Sequence, residues 1–339
     1  MTCGAGEAEP HDRETQDRSM NARAYEVHPQ ALAVMERIER SGEPALETQT
    51  PQDARRYANA RVANNGWPIE PMAEVSDRVL DGPGGELRVR LYRPNDRAVL
   101  PLIVFFHGGG FMVGNLDTHD ALCRVLAARA QAALLAVEYR LAPEHRFPAA
   151  PEDCLFATRW AFENAAALGI DASHVALAGE SSGGNLSAVV AQAFARSGGP
   201  TLRLQVLIYP ALDMRMQTDS YRRFAEGYFF TRAKSKYFID HYLRSDADAD
   251  DPRCSPVHAP SVAGVCPALI IAAGLDPLLD EAADYAARLR AADVPVDFHN
   301  YEGWPHGFMF WAHTEAAQRA VDTTVQALRY ALKIQSTRH

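Results

Sequence analysis

The chain has almost no lysine. Of its 34 lysines and arginines, only residues 234, 236 and 333 are lysine. The arginines are scattered, and no basic run of the kind that marks a nucleic-acid patch occurs. With 43 acidic residues the formal net charge is −9, which argues against nucleic acid or an anionic membrane as the main partner. Long apolar runs are missing too. The opening stretch MTCGAGEAEPHDRETQDRSM lacks the apolar centre of a signal peptide or membrane anchor. Residues 1–19 read as a disordered tail, with Met20 as an alternative start. Cysteine is sparse and irregular, at positions 3, 123, 154, 254 and 266. Neither CxxC nor HExxH is present, which excludes the commonest zinc spacings and points to reduced thiols in the cytoplasm.

What the sequence does contain is a large apolar fraction, 47% against 23% charged, over 339 residues without repeats. That is ample for an extended core. Two helices open it. Leu32, Val34, Met35 and Ile38 have helical spacing within 29–41, and Thr50-Pro51 reads as N-cap and first-turn proline of a helix ending near Asn65-Gly66. Residues 75–80 and 86–92 flank the turn Asp81-Gly82-Pro83-Gly84-Gly85, a predicted antiparallel hairpin. Short apolar runs then follow at 102–106, 132–138, 174–178, 203–209, 267–273 and 295–301, with helical stretches near 118–130, 149–167, 183–197, 278–292 and 314–334. Near-continuous apolar strands alternating with helices predict an α/β fold, with a mostly parallel sheet of about eight strands covered on both faces. One connection, Pro210 to Pro256, is too long for the pattern, is rich in aromatics and carries a helix near 232–243. Such excursions from strand ends form lids. Residues 20–70 and about 214–250 are therefore expected to make a helical cap on a catalytic domain spanning 71–339.

Four segments carry chemistry. Gly179-Glu180-Ser181-Ser182-Gly183-Gly184 lies between a predicted strand and a predicted helix, the context of a GxSxG nucleophile elbow. The glycines allow a sharp turn that would set Ser181 at the helix N-terminus. His107-Gly108-Gly109-Gly110 follows the strand Ile103–Phe106. Acyl transfer generates an oxyanion that needs preorganised N–H donors, and Gly108 and Gly109 would supply them together with Ser182. His107 is expected to tie this loop down. A serine nucleophile needs a base and an orienting acid, in the chain order serine, acid, histidine. His258, His299, His306, His313 and His339 come late enough to be weighed. His306, in the loop Gly303–Phe308, is the candidate base. Asp276 follows a predicted strand and is the candidate acid, although Asp before Pro is also a good N-cap, and Asp280 and Glu281 compete with it.

In combination, HGGG, GESSGG, Tyr139–His145 (YRLAPEH), Asp276-Pro277-Leu278-x-Asp280-Glu281 and His306-Gly307-Phe308 resemble the bacterial hormone-sensitive-lipase-like carboxylesterases. The likeness runs from about residue 75 to the C-terminus. It implies an α/β-hydrolase fold with a helical cap, the triad Ser181, Asp276 and His306, oxyanion donors Gly108, Gly109 and Ser182, and no cofactor. The residue spacings point to no metal, and relatives often form a homodimer, which nothing in this sequence fixes. One departure is that the family more often has Asp and Ala where this chain has Glu180 and Ser182. The expected activity is hydrolysis of small-molecule esters with short to medium acyl chains, butanoyl to octanoyl best. Phe111, Met112, Trp304 and Phe308 are expected as apolar walls of the pocket. Two other readings exist: hydrolysis of amides, carbamates or lactones by the same groups, and binding without catalysis. Plant gibberellin receptors resemble this family and bind only, having lost the catalytic histidine, whereas His306 is present here.

Overall fold

The computed structural model describes residues 24–63 and 66–334; the predicted tail over 1–19 lies outside them. Eight strands form one sheet: β1 Glu74–Gly82, β2 Gly85–Arg93, β3 Leu100–Phe106, β4 Ala133–Glu138, β5 Ile170–Glu180, β6 Gln205–Ile208, β7 Ala268–Leu275 and β8 Val296–Pro305. Their order is β1-β2-β4-β3-β5-β6-β7-β8. The hairpin β1–β2 and the pair β2–β4 are antiparallel, and every later pair is parallel.

The apolar runs serve both faces of this sheet. Side chains alternate along a strand, so Leu102, Val104 and Phe106 of β3 join one core with Leu177 and Ile270, while Ile103 and Phe105 join the other with Ala176 and Ile271. All eight of the larger side chains among these are fully buried, each stabilising the fold by about 1.5–3 kcal/mol relative to exposure. Helices Asp120–Ala130 and Glu315–Ala331 contribute to the second core, and Ala149–Glu163, Ser182–Ser197 and Leu279–Ala291 to the first. The single helix expected over 149–167 divides at Asn164 into Ala149–Glu163 and Ala165–Leu168. The last helix is capped by Thr314, whose hydroxyl accepts from the Ala317 amide, so His313 precedes it.

Two elements far apart in sequence lie over the C-terminal ends of the strands. Leu46, Ala54 and Ala58 pack with Met112, Val113 and Phe238, joining the helix Pro51–Ala63 to the helix Arg232–Tyr242. Polar ties hold this layer to the loop after β3. Arg55 donates from Nε to the Met112 carbonyl at 2.8 Å, from Nη2 to the Ala142 carbonyl at 2.6 Å and from Nη1 to Glu144 at 2.8 Å. The Arg55 guanidinium pulls the Glu144 carboxyl down to about 2. Asn59 accepts from the Gly114 amide, and Tyr237 donates to the Gln49 carbonyl.

The join between β5 and the helix Ser182–Ser197 leaves no room for side chains at its glycines. A Cβ on Gly183 would stand 1.9 Å from the Phe106 carbonyl oxygen, and one on Gly179 would stand 2.2 Å from the Gly183 oxygen. Both obstacles are backbone and cannot rotate away. Gly183→Ala should therefore destabilise the protein by about 3 kcal/mol or more, the upper range for overpacking. Urea unfolding followed by circular dichroism measures this. An unchanged midpoint would mean that the helix can move off β3 at little cost.

Candidate active site

Ser181 sits in the turn between β5 and its helix with φ 55° and ψ −119°, a backbone conformation uncommon for a non-glycine residue. The turn is tied from several directions. The Ser181 amide donates to the Ile208 carbonyl at 2.8 Å, and the Ser181 carbonyl accepts from Asn185 and Ala211. The result is a serine side chain standing above the strand ends at the positive pole of a helix.

His306 and Asp276 come to this serine from the loops after β8 and β7. His306 Nε2 lies 3.0 Å from Ser181 Oγ, and His306 Nδ1 lies 2.6 Å from Asp276 Oδ2. With the proton on Nδ1 donated to the carboxylate, Nε2 is left to accept from the serine hydroxyl. Asp276 is 1% exposed. Its other oxygen, Oδ1, accepts the Leu278 amide at 3.0 Å, so one carboxylate both holds the histidine and satisfies the turn before the helix Leu279–Ala291. The competing acids are occupied elsewhere. Asp280 accepts from the Ser220 amide and pairs with Arg223, both away from His306. Glu281 accepts the Leu212 amide at 2.6 Å, and burial pushes its carboxyl well above the usual range. Of the other late histidines, His299 pairs with Asp297 and His258 with Asp213, His313 is exposed, and His339 lies outside the described residues.

The HGGG loop lies beside Ser181, and Gly108, Gly109 and Ser182 all face the same cavity as its side chain. Gly109 and Gly110 have φ of 112° and 59°, and the Gly109 carbonyl accepts the amides of Met112 and Val113. These are the backbone shapes that glycine adopts without a Cβ penalty. His107 is fully enclosed. It stacks on Tyr139 with ring centroids 4.3 Å apart, and the Tyr139 hydroxyl donates to the His107 carbonyl at 2.7 Å. Burial, reinforced by His119, drops its imidazole to about 3, so it stays neutral. Glu180 packs under the loop: a Cβ on Gly108 would stand 1.8 Å from Glu180 Oε1. That carboxylate also meets His119 Nε2 at 3.2 Å.

The cavity measures about 690 Å³. Its floor holds Ser181, His306 and the HGGG loop, and its walls come from Val34, Ile38, Leu46 and Ala58 on one side and Phe229, Phe230, Phe238 and Ile239 on the other. Phe230 stacks on the His306 ring at 4.4 Å. Of the four residues expected as apolar walls, Phe111 lines the cavity, stacked on Tyr242 at 3.8 Å. The other three take different places. Met112 packs beneath the overlying helices with Leu46 and Phe238. Trp304 stacks on His28 at 4.7 Å, 1% exposed, and Phe308 fills the core against Tyr209 and Tyr301. Neighbourhood in sequence misplaced them: β8 ends at Pro305, and Trp304 and Phe308, two residues either side of His306, belong to the core while His306 lines the cavity. The aromatics that do form the wall come from the excursion after β6. Its richness in phenylalanine and tyrosine was the available signal, but nothing in the pattern told which rings face inward.

A family model described as the alpha/beta hydrolase fold matches residues 103–310. The chain belongs to the hormone-sensitive-lipase-like branch of that fold. It is 48% identical to the carboxylic ester hydrolase LipN of Mycobacterium tuberculosis over 243 residues, 70% of this chain and 64% of that one, just under two thirds of the relative's length. It is 38% identical to the ethyl acetate hydrolase of Pseudomonas putida, covering 85% of this chain and 92% of the other. Among solved structures, a thermostable esterase from Pseudomonas putida ECU1011 superposes with a TM-score of 0.87 at 33% identity, covering 91% and 99% of the two chains. A hyperthermophilic esterase from Pyrobaculum calidifontis superposes with a TM-score of 0.84 at 34% identity, covering 90% and 98%. Among the described residues no helix of this α/β-hydrolase is long and apolar enough to cross a membrane.

The two parts that Asp276 plays in this α/β-hydrolase can be separated by their size. Losing an amide acceptor at a helix start costs about 1 kcal/mol of stability, whereas losing the acid that orients a catalytic histidine costs roughly 10⁴ in rate. Asp276→Asn is expected to fold and to hydrolyse p-nitrophenyl butanoate about 10⁴-fold more slowly. Retention of most activity, with loss in Asp280→Asn instead, would reassign the acid.

Proposed function

We propose that this chain is a serine carboxylesterase that hydrolyses short- to medium-chain acyl esters through an acyl-enzyme intermediate. The observation that carries the reading is the hydrogen-bonded series Ser181–His306–Asp276, with 3.0 and 2.6 Å steps. In the proposed cycle Ser181 Oγ attacks the ester carbonyl carbon while His306 Nε2 takes the hydroxyl proton. Asp276 keeps the imidazole oriented and stabilises its charged form. The amides of Gly108, Gly109 and Ser182 receive the developing oxyanion. Collapse of the tetrahedral intermediate breaks the ester C–O bond, and the leaving alcohol takes its proton from His306. Water, deprotonated by the same nitrogen, then attacks the acyl-serine; the acyl C–Oγ bond breaks, His306 returns the proton to Ser181 Oγ, and the acid leaves. The esterase and ester-hydrolase names of the relatives support this assignment, and an intact His306 favours turnover over binding alone. A cytoplasmic setting belongs to the same proposal. It is supported by the free thiols of Cys123, Cys154, Cys254 and Cys266, all held protonated by burial, the last pushed up to about 12.

Two measurements test the reading. Ser181→Ala should lose turnover on the order of 10⁴–10⁶-fold while keeping its fold, and a fluorophosphonate should label the peptide containing Ser181. Label on Ser182 or Ser187 would overturn the assignment. The finite, aromatic-walled cavity sets the acyl preference. Each added methylene gains about 0.8 kcal/mol until the chain meets the wall, after which overpacking reverses the trend. Across p-nitrophenyl esters from acetate to palmitate, kcat/KM should therefore peak between butanoyl and octanoyl. A maximum at palmitate, or a jump in rate when substrate forms an emulsion, would describe a lipase instead.

A further inference from the structure

One of the chain's three lysines stands inside the active-site cavity. Lys234 lies in the first turn of the helix Arg232–Tyr242, and its ammonium donates to the Phe229 carbonyl at 2.6 Å. The same ammonium lies 5.0 Å from the centroid of the Phe229 ring, and the Arg61 guanidinium lies 5.9 Å from it. Two cations thus share one aromatic ring, and the next residue, Phe230, stacks on His306. Phe229, Phe230, Lys234, Arg61 and Ser181 all line one cavity.

The charges that line the cavity do not cancel: three are basic, Arg37, Arg61 and Lys234, against two acidic. Two carboxylates line the wall, and each has a partner: Glu43 pairs with Arg61 at 3.3 Å, and Glu180 meets His119 at 3.2 Å. Among the described residues the Lys234 ammonium's partners are the Phe229 carbonyl and ring, and no carboxylate pairs with it, whereas Lys236 on the same helix pairs with Asp240. Burial lowers the Lys234 pKa; the Glu47 carboxylate opposes this, and Arg61 adds a smaller push in the same direction as burial. An ammonium has three donors, and a cation moved out of water without a paired anion is costly. In a chain of net charge −9 there is no general excess of base to account for cations here.

We propose that Lys234 is a specificity-determining residue for esters that carry a carboxylate at the end remote from the bond being broken. The proposal rests on the esterase reading above, with Ser181 as nucleophile. The carboxylate would accept from the ammonium beside the Phe229 ring while the ester carbonyl lies at Ser181, restoring the pairing that the empty wall withholds. A lysine that only tied down the Phe229 loop would affect neutral and charged esters alike, so the informative quantity is a ratio.

Monoethyl esters of adipate, pimelate and suberate are to be compared with ethyl hexanoate, heptanoate and octanoate, with acid release followed in a pH-stat. In the wild-type enzyme the ratio of kcat/KM for the charged ester to that for its neutral match is expected to exceed one for at least one chain length. A ratio below one at every length overturns the proposal, and this arm needs no variant. Lys234→Met should lower the favourable ratio about tenfold, the scale of a hydrogen bond to a charged group, and Lys234→Arg should retain more of it than the methionine variant. A ratio that Lys234→Met leaves unchanged overturns the proposal while leaving the esterase reading intact. Hydrolysis of neither ester class by the wild-type enzyme would refute the esterase reading itself.

Discussion

Everything in this molecule is arranged around one strained turn. Ser181 adopts φ 55° between β5 and the helix that follows, and the contact is so close that Gly179 and Gly183 have no space for a side chain. The turn survives because β5 is flanked by β3 and β6 and the helix is buried along most of its length. A sheet with two covered faces supplies more than enough burial to hold one residue in a conformation costing about 1–3 kcal/mol. What the strain yields is position: the hydroxyl clears the strand ends, at a helix N-terminus, within reach of loops from β3, β7 and β8.

Those loops are stiffened by polar groups that sit in the interior. A neutral His107 stacked on Tyr139 anchors the HGGG segment, and Glu180, held by His119, supports Gly108 from below. Asp276 divides its two oxygens between the histidine and the turn it belongs to. Asp276, Glu180 and His119 each have a polar partner, and that is the condition on which a low-dielectric site can hold charge and orientation together.

The roof is built differently. It consists of short helices, from before the sheet and from the excursion after β6, packed through a small cluster around Met112 and Phe238 and tied by Arg55 to two carbonyls and Glu144. Fewer apolar contacts hold it than hold the strands beneath, and such layers open first in local unfolding. Its side chains nevertheless make most of the cavity wall, so the less strongly held part of the fold sets what can enter, while the rigid sheet sets what reacts.

Read alone, the sequence determined the order of the strands and helices, the antiparallel start, the elbow and the three residues that meet at its apex. These were legible because each depends on local necessity. A buried parallel strand must be apolar throughout, a turn with positive φ and a close neighbour must use glycine, and an acid and a base must follow strands whose ends they occupy. The cavity wall was not legible. Trp304 and Phe308 are neighbours of His306 in sequence but face the core, whereas Phe230, 76 positions away, stacks on its ring. Lys234 looked like any surface lysine on a polar helix. Which side of a helix faces a cavity depends on what packs against its other side, and that is a property of long-range contacts that no local pattern of residues encodes.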